Sequence, residues 1–504
     1  MIESPYKVDI PKTDVVSFVF STPTENSREA PQYFDATGPS KCFSLAQAEG
    51  YVKQFARGLE VMGLQPNDKV LLYSNNRLFF PVLLWGVLAA RCIFTAASPS
   101  ASISELEFQI SHSDAKLVLA SPDRLNIALE AVSRLGLDQE CLFVFSDPDE
   151  DLSQYKPLKL PLWTSLWRPE DEVQSWSWKK ITSYEEAKET TAIINYSSGT
   201  TGIPKGVEIT HYNAIANSVQ LLYKRAMVAD TPNGRSRKER LDNSGERWLA
   251  PLPIAIETVV SGSAPLSPEL GRLVANMYLC PGVTIRQGWG LTETTCSISG
   301  FAPDDEDDGR AVGWLNPNCA AKIAPIEDRD FSDVTSGDGA VGEIWVSGPN
   351  IMKGYYKNSK VTSETIVEAD GHRWLRTGDI GYIDSRGCIV IVDRLKELIK
   401  VKGLQVAPAE LEQFLLTHSD VADAAVIGAK LDGGEYPRAF VVRKEGIVTE
   451  IEIFNMIKEK FAPHKWLTGG VYFISSIPRT GSGKVMRRYL PSGGNKKTTS
   501  VAKL

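Results

Sequence analysis

Residues 196–211 read Tyr-Ser-Ser-Gly-Thr-Thr-Gly-Ile-Pro-Lys-Gly-Val-Glu-Ile-Thr-His. Five hydroxyl side chains, Tyr196, Ser197, Ser198, Thr200 and Thr201, crowd its start. Gly199, Gly202 and Gly206 let the backbone turn tightly and approach a ligand closely. Lys205 adds one cation. Such a loop offers backbone N–H groups, hydroxyl donors and positive charge to a polyphosphate. The run before it, Thr191-Ala-Ile-Ile-Asn-Tyr196, is apolar and β-branched and predicts a strand entering the loop. The loop is not of the Walker A kind, which closes on Gly-Lys-Ser/Thr, because Gly206 follows Lys205.

Working outward, six more segments follow in order. They are Ser261-Gly262-Ser263-Ala264-Pro265-Leu266, Gln287-Gly288-Trp289-Gly290-Leu291-Thr292-Glu293, Leu375-Arg376-Thr377-Gly378-Asp379, Asp393-Arg394, the loop and helix start Lys400–Glu412, and Pro478-Arg479-Thr-Gly-Ser-Gly-Lys484. Each alone has a plain structural reading: a turn before a helix, a surface ion pair, a lysine in a Gly/Ser tail. Together, in this order and from about residue 40 to about residue 490, they resemble the adenylate-forming superfamily. That superfamily includes acyl-CoA synthetases, 4-coumarate–CoA ligases, firefly luciferases and adenylation domains.

The resemblance implies roles for single residues. Ser197, Ser198, Gly199, Thr200, Thr201, Gly202 and Lys205 would surround the phosphates of ATP. Gly262, Ser263, Ala264, Gln287 and Gly288 would line the adenine side, and Trp289, where the family usually has tyrosine, would offer adenine a flat face. Thr292 would touch the α-phosphate and Glu293 would bind Mg2+, a hard cation suited to carboxylate and phosphate oxygens. Asp379 would accept hydrogen bonds from both ribose hydroxyls and Arg394 would reach the ribose. Backbone rotation at Asp393 would reorient the C-terminal domain. Lys400 and Gly403 belong to the loop that swings in for the thiol step, with Gly403 against the pantetheine arm of coenzyme A. Lys484, a point charge on a long stem, would hold the acid's carboxylate and the α-phosphate together. With Lys484, Thr292 and Glu293 as the catalytic set, the implied reaction is ATP-dependent acyl-CoA ligation. An acid and ATP give an acyl-adenylate and pyrophosphate, and CoA then takes the acyl group and releases AMP. Resemblance to 4-coumarate ligases points to aryl or medium-chain acids, including acids of secondary metabolism. The other readings are an impaired or inactive nucleotide-binding relative and an adenylation enzyme serving a carrier protein.

One break interrupts the resemblance. Leu249–Ala255 looks like the front of the family's "Leu-Pro-Leu-Phe-His" motif, yet only Ile256–Val260 separates it from Ser261. Several dozen family residues, part of the second subdomain and one wall of the acyl pocket, are missing there. Their loss predicts exposed apolar surface, unpaired sheet edges and weakened activity.

Composition fits a globular enzyme: 504 residues, 42% hydrophobic, 23% charged, net charge −7. The acidic balance and the lack of a long basic block argue against nucleic acid as a partner. Asp304–Asp308 reads as a solvated acidic loop. The seven cysteines are scattered, odd in number and free of C-x-x-C, which fits reduced thiols. With five histidines and no H-E-x-x-H, zinc has no support. The apolar run Leu78–Ala90 is too short for a membrane span and reads as a buried helix. Ala502-Lys503-Leu504 is a variant of the Ser-Lys-Leu peroxisomal address, on a Gly/Ser/Lys/Thr-rich tail open to a peroxisomal import receptor.

The expected fold is α/β. A large N-terminal domain, residues 1–392, would carry parallel αβ-layered sheets plus a small β-barrel; a small mobile α+β domain would follow over 393–490, then a flexible tail over 491–504. Periodicity predicts helices over 45–62, 77–89 and 104–111 and strands over 69–73 and 116–120. It reads 145–189 as a surface connection. Short β-branched runs over 342–347 and 388–392 read as a small barrel-like β region, and segments 408–417, 424–428, 450–461 and 471–474 together suggest a compact α+β domain.

Overall fold

The computed structural model describes the chain apart from residues 22–27, 36–37, 154, 156–159, 198–203, 228–234, 236–238, 240–258, 263–267, 279–284, 304, 306, 308, 327–339, 396, 402–403, 432–433, 445–447, 480–483 and 492–504. Ser198, Gly199, Thr200, Thr201, Gly202, Ser263, Ala264, Gly403 and the terminal Ala502-Lys503-Leu504 therefore lie outside the described residues.

The strand leading into the hydroxyl-rich loop is Thr191–Ser197. It lies inside a seven-stranded sheet whose order is Gly354–Tyr355, Lys205–Thr210, Thr191–Ser197, Ile93–Ala97, Lys69–Tyr73, Ala115–Ala120, Leu142–Val144. From Thr191–Ser197 to Leu142–Val144 all neighbours are parallel, and the two strands at the other end run antiparallel. Parallel strands are buried on both faces, and alternation sorts their side chains between two cores. Val70, Leu72, Leu117 and Leu119 join one cluster, while Leu71, Tyr73, Val118 and Ala120 join the other.

The helices form close to the expected places. Leu45–Val61 starts on a Ser44/Gln47 capping box, and Ile103–Ser113 on a Ser102/Glu105 box. The second helix runs past the expected residue 111 because Asp114 ends it in the left-handed region. The apolar run becomes helix Phe80–Ala89, three residues later than Arg77, because Pro81 takes the first turn. No helix among the described residues is long and apolar enough to cross a membrane.

Residues 145–189 correct the expectation of a surface connection. Trp163 is fully buried within the core. Its indole donates to Ser146 O (2.7 Å), and its ring meets Phe55, Phe145 and Trp167 edge-on. Trp178 is buried too, donating to Ser17 Oγ (2.9 Å). The polar composition of the run masked tryptophans that anchor it.

A second, antiparallel sheet orders Ile2–Glu3, Ala320–Ala324, Gly342–Ser347, His372–Ile383 and Ile366–Ala369, with Ile389–Arg394 also on His372–Ile383. Gly342–Ser347 falls where the sequence placed it. The expected barrel appears as this sheet, and no pairing among the described residues closes it into a ring. Beyond it, Pro408–Leu415, Val421–Leu431, Gly434–Arg443, Glu450–Lys460 and Val471–Phe473 form an α+β unit with its own core around Leu411, Val426, Val441 and Ile453. The described cysteines are all free, and burial pushes the thiols of Cys92 and Cys319 up to about 12.

The break near residue 256 has a structural counterpart. Strand Val259–Ser261 pairs in parallel with Ile285–Gln287, and among the described residues these two strands make a sheet of their own. In the chain, Leu222 before the junction and Val260 and Leu273 after it are each more than half exposed.

Two outcomes test this packing. Trp163→Ala is expected to cost about 3–5 kcal/mol, as for other large-to-small core changes, read as a lower urea midpoint. A surface connection would lose less than about 1 kcal/mol. The second concerns His211, which opens helix His211–Ala226 and whose Nδ1 accepts from Val15 N–H (3.2 Å). Burial holds its pKa down to about 4, against an ordinary 6.5. Between those values the unfolded chain binds the proton and the folded chain does not. The contribution is therefore complete above about pH 6.5 and is lost as pH falls to about 4, a change of about 3 kcal/mol. His211→Asn should flatten the acid slope of the urea midpoint relative to the parent; parallel slopes would refute the assignment.

Candidate active site

The hydroxyl-rich loop leaves one strand and returns on its neighbour, since Ser197 and Lys205 are ladder partners. A strand follows Lys205, not the helix that follows a Walker lysine. Gly206 is a close-approach position: a Cβ there would lie 2.9 Å from Ile194 Cγ2. The Lys205 ammonium stands 5.1 Å from the ring centre of Tyr355. The Tyr355 hydroxyl donates to Glu293 Oε1 (2.8 Å), and Ser197 Oγ approaches the same oxygen at 3.4 Å. Burial and the Glu293 charge push the Tyr355 phenol far up, so it remains a donor. Ser197 at one end of the loop thus meets the carboxylate expected to bind a cation directly, and Lys205 at the other stands against the tyrosine that does.

That carboxylate sits in a tight turn, Thr292–Thr294, whose entry needs glycine. A Cβ on Gly290 would lie 1.8 Å from Cys296 O. Asn350 holds the turn by donating to Thr294 O (3.1 Å) and Ser297 O (2.9 Å), and its own carbonyl accepts from Thr295 Oγ1 (2.7 Å). Met352 N–H donates to Glu293 O (2.9 Å). Helix His211–Ala226, which leaves the returning strand directly, turns polar side chains onto these segments. Asn213 donates to Pro349 O (2.8 Å) and Ile351 O (2.9 Å), and Asn217 to Ser297 O (2.7 Å). Gln220 donates to Pro317 O (2.7 Å) and Lys224 to Gly300 O (2.7 Å). Burial holds the Lys224 pKa down to about 7.

Asp379 follows Gly378, whose φ of 70° favours glycine. It faces Arg394 across the antiparallel ladder, and Arg394 Nε lies 3.0 Å from its Oδ1. Trp289 Nε1 donates to Oδ2 (2.8 Å). The carboxylate is 2% exposed; burial pushes its pKa up while Arg394 and Trp289 pull it down. Trp289 is itself only 9% exposed and belongs to the core cluster with Val207 and Ile298. Its flat face is thus largely covered here, and its edge is committed to Asp379.

Lys484 is brought to the same place from the far end of the chain. Burial, and then the positive charge of Arg394, hold its ammonium below the ordinary lysine range, while Asp379, Glu293 and Glu397 oppose that shift. Gly262 and Gly288 are neighbours, a Cβ on Gly262 falling 3.6 Å from Gly288 O, and Gln287 donates to Gly309 O (2.7 Å). Lys400 is exposed, and its backbone N–H donates to Glu435 Oε2 (2.9 Å). At the boundary, Asp393 accepts from Arg394 N–H (2.6 Å) and from Ala409 N–H (3.3 Å) in the first turn of Pro408–Leu415. Burial raises the Asp393 pKa to about 7. Sequence reasoning missed Tyr355 and Asn350, which belong to no motif it recognised; the run Gly354-Tyr355-Tyr356 was the one faint signal.

Known proteins resemble this chain in sequence and in fold. The family described as AMP-binding enzyme matches residues 22–258 and again 250–356, and the AMP-binding enzyme C-terminal domain matches 410–484. The first match thus comes in two pieces that meet at the junction. The acyl-CoA ligase azaF of Aspergillus niger is 32% identical over 96% of this chain and 98% of its own length. The phenylacetyl-CoA ligase epaB of the same species is 31% identical over 96% and 97%. Both alignments run to 542 positions, longer than this 504-residue chain, so several dozen positions of each relative face no residue here. The peroxisomal OPC-8:0-CoA ligase 1 of Arabidopsis thaliana is 33% identical over 95% and 93%. In fold, ATP-bound MatB of Rhodopseudomonas palustris superposes with a TM-score of 0.74 at 22% identity, covering 94% of this chain and 97% of that one. The chain belongs to the AMP-binding enzyme family, among relatives that are AMP-forming ligases of acids to coenzyme A.

Proposed function

We propose that the chain is an ATP-dependent acyl-CoA ligase whose charged centre is Lys484, Asp379, Arg394 and Glu293. One observation carries this reading: distant stretches of the sequence converge, Arg394 Nε and Trp289 Nε1 meeting the Asp379 carboxylate at 3.0 and 2.8 Å, with the Lys484 ammonium within electrostatic reach of Arg394, Asp379 and Glu293. In the first half-reaction the acid's carboxylate attacks the α-phosphorus of ATP, and pyrophosphate leaves. Neither group needs a protein base, so the work is positioning and charge neutralisation. Lys484 would bridge carboxylate and α-phosphate, with Thr292 beside the latter. Asp379 and Arg394 would hold the ribose, and Ser197 and Lys205 the phosphates.

Glu293 and the nearby hydroxyls are an all-oxygen set that fits Mg2+. Among the described residues no group of three or more His, Cys, Asp or Glu could hold a metal alone, so phosphate oxygens would complete the shell. Bound there, the ion would neutralise phosphate charge. For the second half-reaction, Asp393 is the joint, since its carboxylate ties strand Ile389–Arg394 to the helix that opens the C-terminal unit. Of the aryl and medium-chain acids expected, the phenylacetyl-CoA ligase relative supports the aryl class. The terminal Ala-Lys-Leu and the peroxisomal relative support a peroxisomal site of action.

The junction favours a second reading alongside the first: the chain as written is a weakened form of such a ligase. The missing alignment positions and the exposed Leu222, Val260 and Leu273 support it.

Lys484→Ala is expected to lower acid-dependent pyrophosphate release about 100-fold or more, with ATP affinity retained, because a charge contact present in the transition state is lost. Parent-level release would overturn the assignment. Inserting a family-length segment between Ala255 and Glu257 is expected to raise both the melting temperature and thioester formation over a panel of aryl and fatty acids. Equal stability and activity of the short chain would remove the second reading.

A further inference from the structure

We propose that Trp289 is a positioning residue for Asp379: its indole N–H fixes one carboxylate oxygen, so that the remaining acceptor sites face the ribose hydroxyls of the nucleotide. This rests on the ribose role proposed above for Asp379. The carboxylate has two oxygens, each taken by a donor from a different segment, Arg394 Nε on Oδ1 (3.0 Å) and Trp289 Nε1 on Oδ2 (2.8 Å). Two donors on separate oxygens set the carboxylate plane, and an ionised carboxylate keeps further lone pairs for two hydroxyls.

Trp289 is suited to this task because its own backbone is pinned. Its N–H donates to Ser299 O (3.2 Å), and its carbonyl accepts from Ile298 N–H (2.9 Å). The indole edge therefore starts from a fixed point, and the ring has little freedom inside its cluster. Arg394, by contrast, is only half-buried, so it is the more adaptable donor of the pair. A residue serving adenine through its face alone would need that face open, whereas Trp289 is nearly buried and spends its one donor on Asp379.

The test compares ATP with 2′-deoxy-ATP and 3′-deoxy-ATP by calorimetry on the full chain, in the parent, W289F and D379A. W289F keeps an aromatic ring but removes the donor. It is expected to weaken ATP about tenfold, the scale of one hydrogen bond to a charged group, while hardly changing the deoxynucleotides. The preference for ATP then shrinks towards that of D379A. If W289F weakens all three nucleotides equally, Trp289 acts by stacking or packing alone and the proposal fails, although the Asp379 reading stands. If D379A keeps the parent's preference, the ribose reading fails and this proposal with it. Absence of ATP binding in the parent overturns both. Should W289F lose its cooperative melt, W289H, which retains a ring N–H, takes its place. It is then expected to keep a greater preference for ATP than D379A, and loss of that preference to the D379A level would count against the proposal.

Discussion

The inward face of helix His211–Ala226 is polar, and the site is assembled on it. Asn213, Asn217, Gln220 and Lys224 fall on one side at helical spacing and are all buried. Their donors end on backbone carbonyls of segments 297–300, 314–317 and 349–351. Ser297 O also accepts from Asn350 (2.9 Å), so helix and Asn350 hold the same carbonyl from two sides. An unsatisfied buried polar group costs about 1–3 kcal/mol, so the match between stripe and carbonyls has little tolerance for sliding. The helix also starts where the strand from the nucleotide loop ends. One rigid element therefore sets the distance between that loop and the Glu293 turn.

Burial of charge is the second theme. Asp379, Asp393, Glu412 and Lys224 are all withdrawn from water, and burial is the leading cause of the shift in each. Each has found a partner: Arg394 and Trp289 for Asp379, backbone N–H groups for Asp393, Arg487 for Glu412 (2.7 Å), carbonyls for Lys224. Removing a single partner leaves a stranded charge, which is why such centres hold one geometry.

Local features were legible in the sequence. Thr191–Ser197 showed as an apolar, β-branched run, Lys69–Tyr73 as a short strand, and the helices over 45–62 and 104–111 through their periodicity. The glycines of the motifs were legible as turns, and Gly290 and Gly378 bear that out in steric clearance and positive φ. What depends on distant pairing was not. Nothing near Trp289 announces Asp379, 90 residues on, and nothing in Ile2–Glu3 announces its pairing with Ala320 and Ala321. The run around Trp163 misled because a polar, Pro-rich composition averages away the buried tryptophans, Trp163 and Trp178, that anchor it.

The state of the cysteines has a chemical consequence for a protein that makes an acyl-phosphate anhydride. Such an electrophile is captured by thiolates and hardly at all by protonated thiols. Burial leads the upward shift at Cys92, Cys141, Cys296, Cys319 and Cys388. A free thiol in water ionises near 8.5. Coenzyme A carries its sulfur on a solvent-borne arm and keeps that ordinary acidity. The buried thiols of Cys92, Cys319 and Cys388 are thereby poor competitors for the activated acyl group, which favours the thiol that arrives from outside.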